Sequence, residues 1–225
     1  MTYKYFYLIV ALTVFVSTTD VLGQKKPRPY KCGFISKDFS ELAENYQNFS
    51  RHLGVRQGEI VASVGASNGH VEVQVSSFID SVHWTIQDID TACLNSKELN
   101  KVISYHEKLT NKKLNGTFDI VIGNISRTNL PIQHFDRILL VNVFHELPDK
   151  KSIMLDIHSS LKAQGLVVVM ERMGTKSGQK HGDCGHPKLV ESEFIAEMAT
   201  YGFELLTKVL PAKKSASTFY TFRNN

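Results

Sequence analysis

The stretch Glu59-Ile-Val-Ala-Ser-Val-Gly65-Ala-Ser67-Asn-Gly69-His70 constrains this chain more than any other. A run of small apolar residues ends in two glycines four positions apart, and an apolar-periodic segment begins at Val71. The pattern predicts a buried strand, a tight turn and the first turn of a helix. Glycine has no Cβ, so such a turn lets backbone N–H groups and a helix N-terminus come close to a ligand. The spacing Gly65-x-Ser67-x-Gly69 is a partial match to the glycine-rich fingerprint of a strand–turn–helix unit.

The rest of the chain repeats the alternation. Asp38 to Leu53 is an amphipathic helix with Phe39, Leu42, Ala43, Tyr46, Phe49 and Leu53 on one face, capped by Ser36 or Asp38 and ended by Gly54. Glu59 to Val64 is the first strand, and Val71, Val75, Phe78 and Ile79 mark one face of the next helix. Val82 to Ile86 is a second strand running out at Gln87-Asp88-Ile89-Asp90, and Thr91 to Leu109 is helical. Phe118 to Ile122 is a third strand, closed by Gly123-Asn124. Arg137 to Val143 is nearly all Ile, Leu and Val, as a strand buried on both faces is. Pro148-Asp149 opens a helix with Ile153, Met154, Ile157 and Leu161 inward and Gly165 as its C-cap. Leu166 to Met170 is a fifth strand, ending at Glu171. Leu189 to Tyr201 is a helix stopped by Gly202. Phe203 to Leu210 and Ser217 to Phe222 are joined by a short Lys213-Lys214 turn, which makes them antiparallel.

These elements predict an α/β fold: a Rossmann-like open, mostly parallel seven-stranded sheet with helices on both faces and an antiparallel C-terminal hairpin. Ligands of such sheets bind beyond the carboxyl ends of the strands, beside the first one. That rim carries Gly65, Gly69, Asp88, Asn124 and His145.

Met1 to Gly23 reads as a signal peptide: Lys4 is the basic start, Tyr5 to Val16 is an apolar run too short to span a bilayer, and Val21-Leu22-Gly23 offers a cut. Residues 24–35 then form a linker, and 36–225 one domain of about 200 residues or slightly fewer. The expected location is periplasmic or secreted, with no stable membrane anchor after cleavage. A net charge of +4 without a basic run interleaved with aromatics argues against nucleic acid as a partner. The three cysteines, Cys32, Cys93 and Cys184, allow at most one bridge and one free thiol. The sequence says nothing of oligomeric state.

In order and in three stretches, the chain resembles the class I S-adenosylmethionine-dependent methyltransferases. The stretches are Val61 to Gly69; Asp88 with Asp90 beyond the second strand; and Phe135-Asp136-Arg137 through His145-Glu146-Leu147-Pro148-Asp149 to Leu161-Lys-Ala-Gln164-Gly165 and Glu171. The likeness covers Phe39 to Phe222. It implies that S-adenosylmethionine is the cofactor and that Gly65, Ser67 and Gly69 lie along its methionine part. It further implies that Asp88 accepts from both ribose hydroxyls, Asn124 and Ile125 lie by the adenine, and Asn142 lies near the sulfonium and the acceptor. Ser63 stands where that family carries an acid, which removes a charge-assisted bond to the cofactor's ammonium. Ser67 replaces a glycine and fits if its φ is negative.

The expected function is methyl transfer to a small-molecule acceptor. His145, just past a strand end, is the candidate base; Glu146 reads instead as a charge at a helix start. Acceptor walls are expected from the N-terminal helix and from the Gly174 to Lys188 loop. Two rival readings are a non-catalytic ligand-binding module on the same fold and a metal- or thiol-binding protein using the His181-Gly-Asp-Cys184-Gly-His186 loop. In the second rival, Cys93, Asp183 or Cys32 would complete the ligands. The methyl-transfer reading itself assigns no metal.

Overall fold

The computed structural model describes residues 28–211 and 217–224. The expected signal segment and the Lys213-Lys214 turn lie outside the described residues. The elements are α1 (Phe39–Leu53), β1 (Ile60–Val64), α2 (His70–Val75), β2 (His83–Asp88), α3 (Ser96–Thr110), β3 (Thr117–Ile122), β4 (Phe135–Val141), α4 (Lys150–Ser160), β5 (Leu161–Glu171), α5 (Glu191–Thr200), β6 (Phe203–Val209) and β7 (Thr218–Asn224). A single 3₁₀ turn, Phe144–Glu146, separates β4 from α4.

The seven strands form one sheet in the order β3-β2-β1-β4-β5-β7-β6. Strands β1 to β5 pair in parallel, and β7 runs antiparallel between β5 and β6. The order reverses between β1 and β4, so the turn after β1 sits at the switch point, as expected from the strand–helix alternation.

Side chains alternate across the strands and divide the interior in two. Val61, Trp84, Ile86 and Leu139 face α1, α2 and α3, packing on Leu42, Tyr46, Val73 and Val102. Ala62, Val64, Ile138 and Leu140 face α4 and α5, packing on Ile153, Ile157, Phe194 and Met198. Burial on both faces is why these strands read as continuous apolar runs. Asp38 caps α1 through Glu41 N–H, and Asn95 caps α3 through Glu98 N–H.

Three local expectations are corrected. The helix after β1 ends at Val75, after six residues. Val71, Val73 and Val75 are poor helix formers, and Ser76 Oγ turns back to Glu72 O while accepting from Trp84 Nε1 at 2.8 Å. Phe78 and Ile79 reach the core from the turns that follow. Gly165 is not a helix cap either: α4 stops at Ser160, and Leu161 already pairs with Phe135 in β5, which carries Gly165 within it. The run at β4 ends at Val141, and Asn142 departs from it with φ +54°.

The segment before α1 has no regular structure, yet it is fastened down. Tyr30 is fully packed, and Asn68 Nδ2 donates to Lys31 O and Cys32 O at 2.5 and 2.9 Å. Cys32 is bridged to Cys93 in the loop between β2 and α3, across 61 residues of chain. This answers the cysteine question left open by the sequence. Cys184 is the free thiol, and it is exposed. Closing a loop of that length restricts the unfolded chain by roughly 4 kcal/mol on the entropy model. Cys93→Ser is therefore expected to lower the unfolding free energy by about 2–4 kcal/mol in urea titration, and a loss below about 0.5 kcal/mol would show that the bridge holds nothing the packing does not.

Candidate functional site

The turn after β1 is shaped by backbone conformations that exclude most side chains. Gly65 has φ +68°, and a Cβ there would stand 2.2 Å from Val143 Cγ2. Only glycine lets the turn after β1 come this close to Val143, beyond the end of β4. The expectation that Ser67 takes a negative φ is overturned: its φ is +54°. That conformation costs a side-chain-bearing residue roughly 1 kcal/mol or more. The turn holds it there because Ser67 N–H donates to Asp88 Oδ2 at 2.7 Å. Ala66 N–H donates to Gln87 O at 3.0 Å beside it. Asp88 Oδ1 accepts from Asp90 N–H at 2.8 Å, so Asp88 clamps two loops and keeps one lone pair on each oxygen for a ligand.

Two cavities meet at Gly65 and Ser67. The larger, about 510 Å³, lies between the turn and the N-terminal layer; Phe34, Asn45, Tyr46 and Phe49 form one wall and Ser63, Glu72 and Asn142 the other. The smaller, about 290 Å³, is bounded by Gln87, Asp88, Ile89, Asn124, Ile125 and Glu146. Of the residues expected at a cofactor, Gly65 and Ser67 line both cavities, Asp88, Asn124 and Ile125 line the smaller, and Asn142 lines the larger. Asn142 presents a buried side-chain oxygen with no partner. Asn124 Oδ1 is occupied by the Ser126 N–H and hydroxyl. Gly69 lines neither cavity; it caps α2, where a Cβ would meet Leu99 Cδ1 at 3.0 Å.

His145 also lines neither cavity. Its Nδ1 meets Glu171 Oε2 at 2.9 Å, and its Nε2 points at Cys184 Sγ, 3.5 Å away. The 174–188 loop, expected to cover the acceptor, instead lines a separate recess with His145, through Ser177, Gly178, Pro187 and Lys188. Asn45, Tyr46 and Phe49 of α1, the helix expected to wall the acceptor, line the larger cavity.

Two residues that the sequence reading passed over stand in the larger cavity. Glu72, one turn along α2, is 1% exposed, and neither carboxylate oxygen has a hydrogen-bond partner among the described residues. Burial pushes its pKa up to about 7, the Ser63 hydroxyl beside it opposing and Asp88 adding to the rise. His70 is the other. Asn68 Nδ2 is committed to two carbonyls, so Asn68 Oδ1 faces His70 Nδ1 at 3.1 Å and takes its proton as a hydrogen bond. Burial, helped by His106, brings the His70 pKa down to about 4, leaving a neutral ring whose Nε2 is an acceptor rather than a strong base.

A family model described as "Methyltransferase domain" matches residues 91–169, from the loop before α3 through most of β5. A curated sterol 24-C-methyltransferase from Pneumocystis carinii (strain B80) is 24% identical over 207 residues, covering 85% of this chain and 52% of that protein. The chain thus spans about half the length of the curated relative it matches. Two solved structures described as SAM-dependent methyltransferases share the fold. One, from Aquifex aeolicus, has TM-score 0.59 at 15% identity, covering 83% of this chain and 93% of that one. The other, from Methanosarcina mazei, has TM-score 0.60 at 13% identity, covering 83% and 98%.

If the Asp88 clamp rather than the Ser67 side chain sets the turn, Ser67→Gly removes the strain and keeps the clamp. A gain of about 0.5–1 kcal/mol, read as a Tm about 1–3 °C higher, is expected. A lower Tm would show that the serine side chain itself holds the turn.

Proposed function

From the premise that this chain has the class I S-adenosylmethionine-dependent methyltransferase fold and matches a methyltransferase-domain family model, we propose that it binds S-adenosylmethionine across the two cavities and transfers its methyl group to a small-molecule acceptor. The observation that carries the reading is the pair of cavities joined at Gly65 and Ser67, one bounded by Asp88 and Asn124 where a nucleoside fits and one lined by the buried Glu72 carboxylate where an ammonium fits.

Asp88, Gln87, Asn124 and Ile125 would hold the nucleoside part. The free lone pairs of the Asp88 carboxylate suit a ribose diol, which brings two donors. On the other side, Glu72 supplies the acid that position 63 lacks. A buried carboxylate without partners gains most from a cation that enters its cavity, because the charge-assisted bond forms in a water-poor site. Asn142 Oδ1, also unpartnered, adds a second acceptor.

The cofactor supplies an electrophilic methyl group on a sulfonium. The chain's part is alignment and exclusion of water. Phe34, Tyr46, Phe49, Val71, Val141 and Met170 make the acceptor side largely apolar, and Asn45 and His70 give it polar points. The acceptor is accordingly a small molecule with an apolar body. The curated relative's name specifies a sterol, an apolar acceptor of that kind. His145 is not assigned a role in methyl transfer, since it opens on neither cavity.

Export is part of the proposal. The Cys32–Cys93 bridge suits an oxidising compartment and so agrees with the expected signal peptide. The mass of the mature protein secreted by its own host should lack Met1 to Gly23; a mass retaining them overturns the export claim.

Calorimetry on the purified protein with S-adenosylmethionine and with its demethylated product tests the main reading: both are expected to bind, and binding of neither at millimolar concentration overturns it. Glu72→Gln should weaken both by roughly 10- to 100-fold, the worth of one bond to a charged group. The pH dependence has a defined sign. The folded pKa of Glu72 lies near 7 against an ordinary 4.5. Its contribution to the stability of the free protein is therefore fully present below about 4.5 and is lost as pH rises through about 7. Binding of an ammonium favours the ionised form, so affinity should rise with pH up to and through about 7, and Glu72→Gln should flatten that rise while making the free protein more stable at pH 8. An unchanged pH profile in Glu72→Gln would remove Glu72 from the site.

A further inference from the structure

The segment after β5 lies outside the residues matched by the methyltransferase-domain model, and it brings two metal-capable side chains, His181 and Cys184, against His145, which lies within them. We propose that His145, His181 and Cys184 form a binding site for a borderline-soft divalent cation of the zinc class, with Glu171 behind it as outer-shell carboxylate and one coordination position left open.

The geometry is tertiary. Ligand atoms of the three residues all lie within 4.8 Å of one another, and Cys184 Sγ is 3.5 Å from His145 Nε2. The two imidazoles stack with centroids 4.0 Å apart. Sulfur and nitrogen donors at this spacing suit zinc, which takes mixed Cys and His ligands in tetrahedral sites, and three protein ligands leave the fourth position for water or another ligand.

Two observations point to a ligand rather than to packing. His181 is 3% exposed, and its Nε2 is buried with no partner among the described residues. A donor or acceptor left that way costs stability unless something fills it. His145 Nδ1 is held on Glu171, itself 0% exposed, at 2.9 and 3.0 Å to its two oxygens. That contact fixes Nε2 as the nitrogen facing Cys184, the carboxylate–histidine arrangement that orients metal-binding imidazoles. The loop is also pre-formed: His181 N–H donates to His186 O at 2.9 Å, Gly185 N–H to His181 O at 3.1 Å, and Arg172 pairs with Asp183 at 2.5 Å.

The ligand set differs from the sequence reading, in which Cys93, Asp183 or Cys32 completed the ligands of the His181-Cys184-His186 loop. Cys32 and Cys93 are consumed in their own bridge, and His186 lies outside the group, 6.3 Å from His145 between ring centroids. The missing partner is His145, contributed from 36 residues upstream. The site also borders the proposed cofactor cavity. Glu146 Oε1 is 3.6 Å from His145 Nε2, and Glu146 lines the smaller cavity. The proposal does not depend on methyl transfer, since its ligands are read independently of that activity.

Cobalt(II) titration of the full-length protein, with Cys184 reduced, tests it. One equivalent is expected to bind, with a thiolate-to-cobalt charge-transfer band and the visible bands of tetrahedral cobalt, and zinc should displace it. Cys184→Ser, a change at an exposed loop position, should abolish the charge-transfer band with unchanged far-UV circular dichroism. Glu171→Gln should weaken binding by roughly 10- to 100-fold, as loss of an outer-shell carboxylate does. His181→Ala should weaken it at least as much. Absence of saturable one-to-one binding overturns the proposal, and so does a charge-transfer band that survives in Cys184→Ser, because that band would come from the other cysteines.

Discussion

The contact on which the rest of this structure depends is the hydrogen bond from Ser67 N–H to Asp88 Oδ2. It holds a serine in a left-handed conformation that its own side chain disfavours. It also ties the turn after β1 to the end of β2, at the point where the strand order reverses. The two cavities share only Gly65, Ser67 and their immediate surroundings, so this turn is both their partition and their junction. Gly65 sets the other limit: with Val143 where a Cβ would stand, β1 and the chain beyond β4 approach as closely as backbone allows. A bound molecule crossing the junction would run over bare backbone.

The larger cavity needs a second constraint, since part of one wall, Phe34, comes from chain that has no regular structure. Phe34 lies in the segment between Cys32 and α1, and Asn68 reaches from the turn to the carbonyls of Lys31 and Cys32. The same Asn68 orients the His70 ring. One side chain thus couples the wall, the turn and a cavity histidine. The disulfide lies in the same segment, so a bridge distant in sequence from the glycine turn helps shape its cavity.

Much of the fold was legible because burial on both faces writes strands as unbroken apolar runs, and glycines and caps mark the ends. The strand run at β4 and the helix face of α1 are of this kind. Legibility failed where local signals conflict with pairing. Gly165 follows a helical pattern and looks like its stop, but Leu161 is already drawn into the sheet opposite Phe135. Val71 to Ile79 keeps an apolar periodicity over a helix that ends at Val75, because turns can deliver Phe78 and Ile79 to the same core. Around the cavities, Asp88 and Gly65 could be read from their positions after strands. Glu72 could not, since an acid in a short helix looks like any solvated charge until the layer above it is placed. The meeting of His145 with His181 and Cys184 had no local trace either, because the loop folds back across the end of β5.

Two buried carboxylates on this part of the molecule make the physical argument sharper. Glu171 is completely buried and is matched inside the protein: His145 gives it both a backbone N–H and an imidazole. Glu72 is buried to the same degree, and among the described residues neither of its oxygens makes a hydrogen bond, only the Ser63 hydroxyl standing beside it. Burying an acid without partners is tolerated by keeping it protonated, and burial does raise its pKa. A core built for stability alone would place a glutamine or an aliphatic residue at that position. The difference between the two acids is what surrounds them: Glu171 faces a histidine that can hold a cation, and Glu72 faces an open cavity. The same desolvation that makes Glu72 a weak point of the free protein suits it to a positive charge, because an anion with only the Ser63 hydroxyl beside it keeps most of its hydrogen-bonding capacity for the group that arrives.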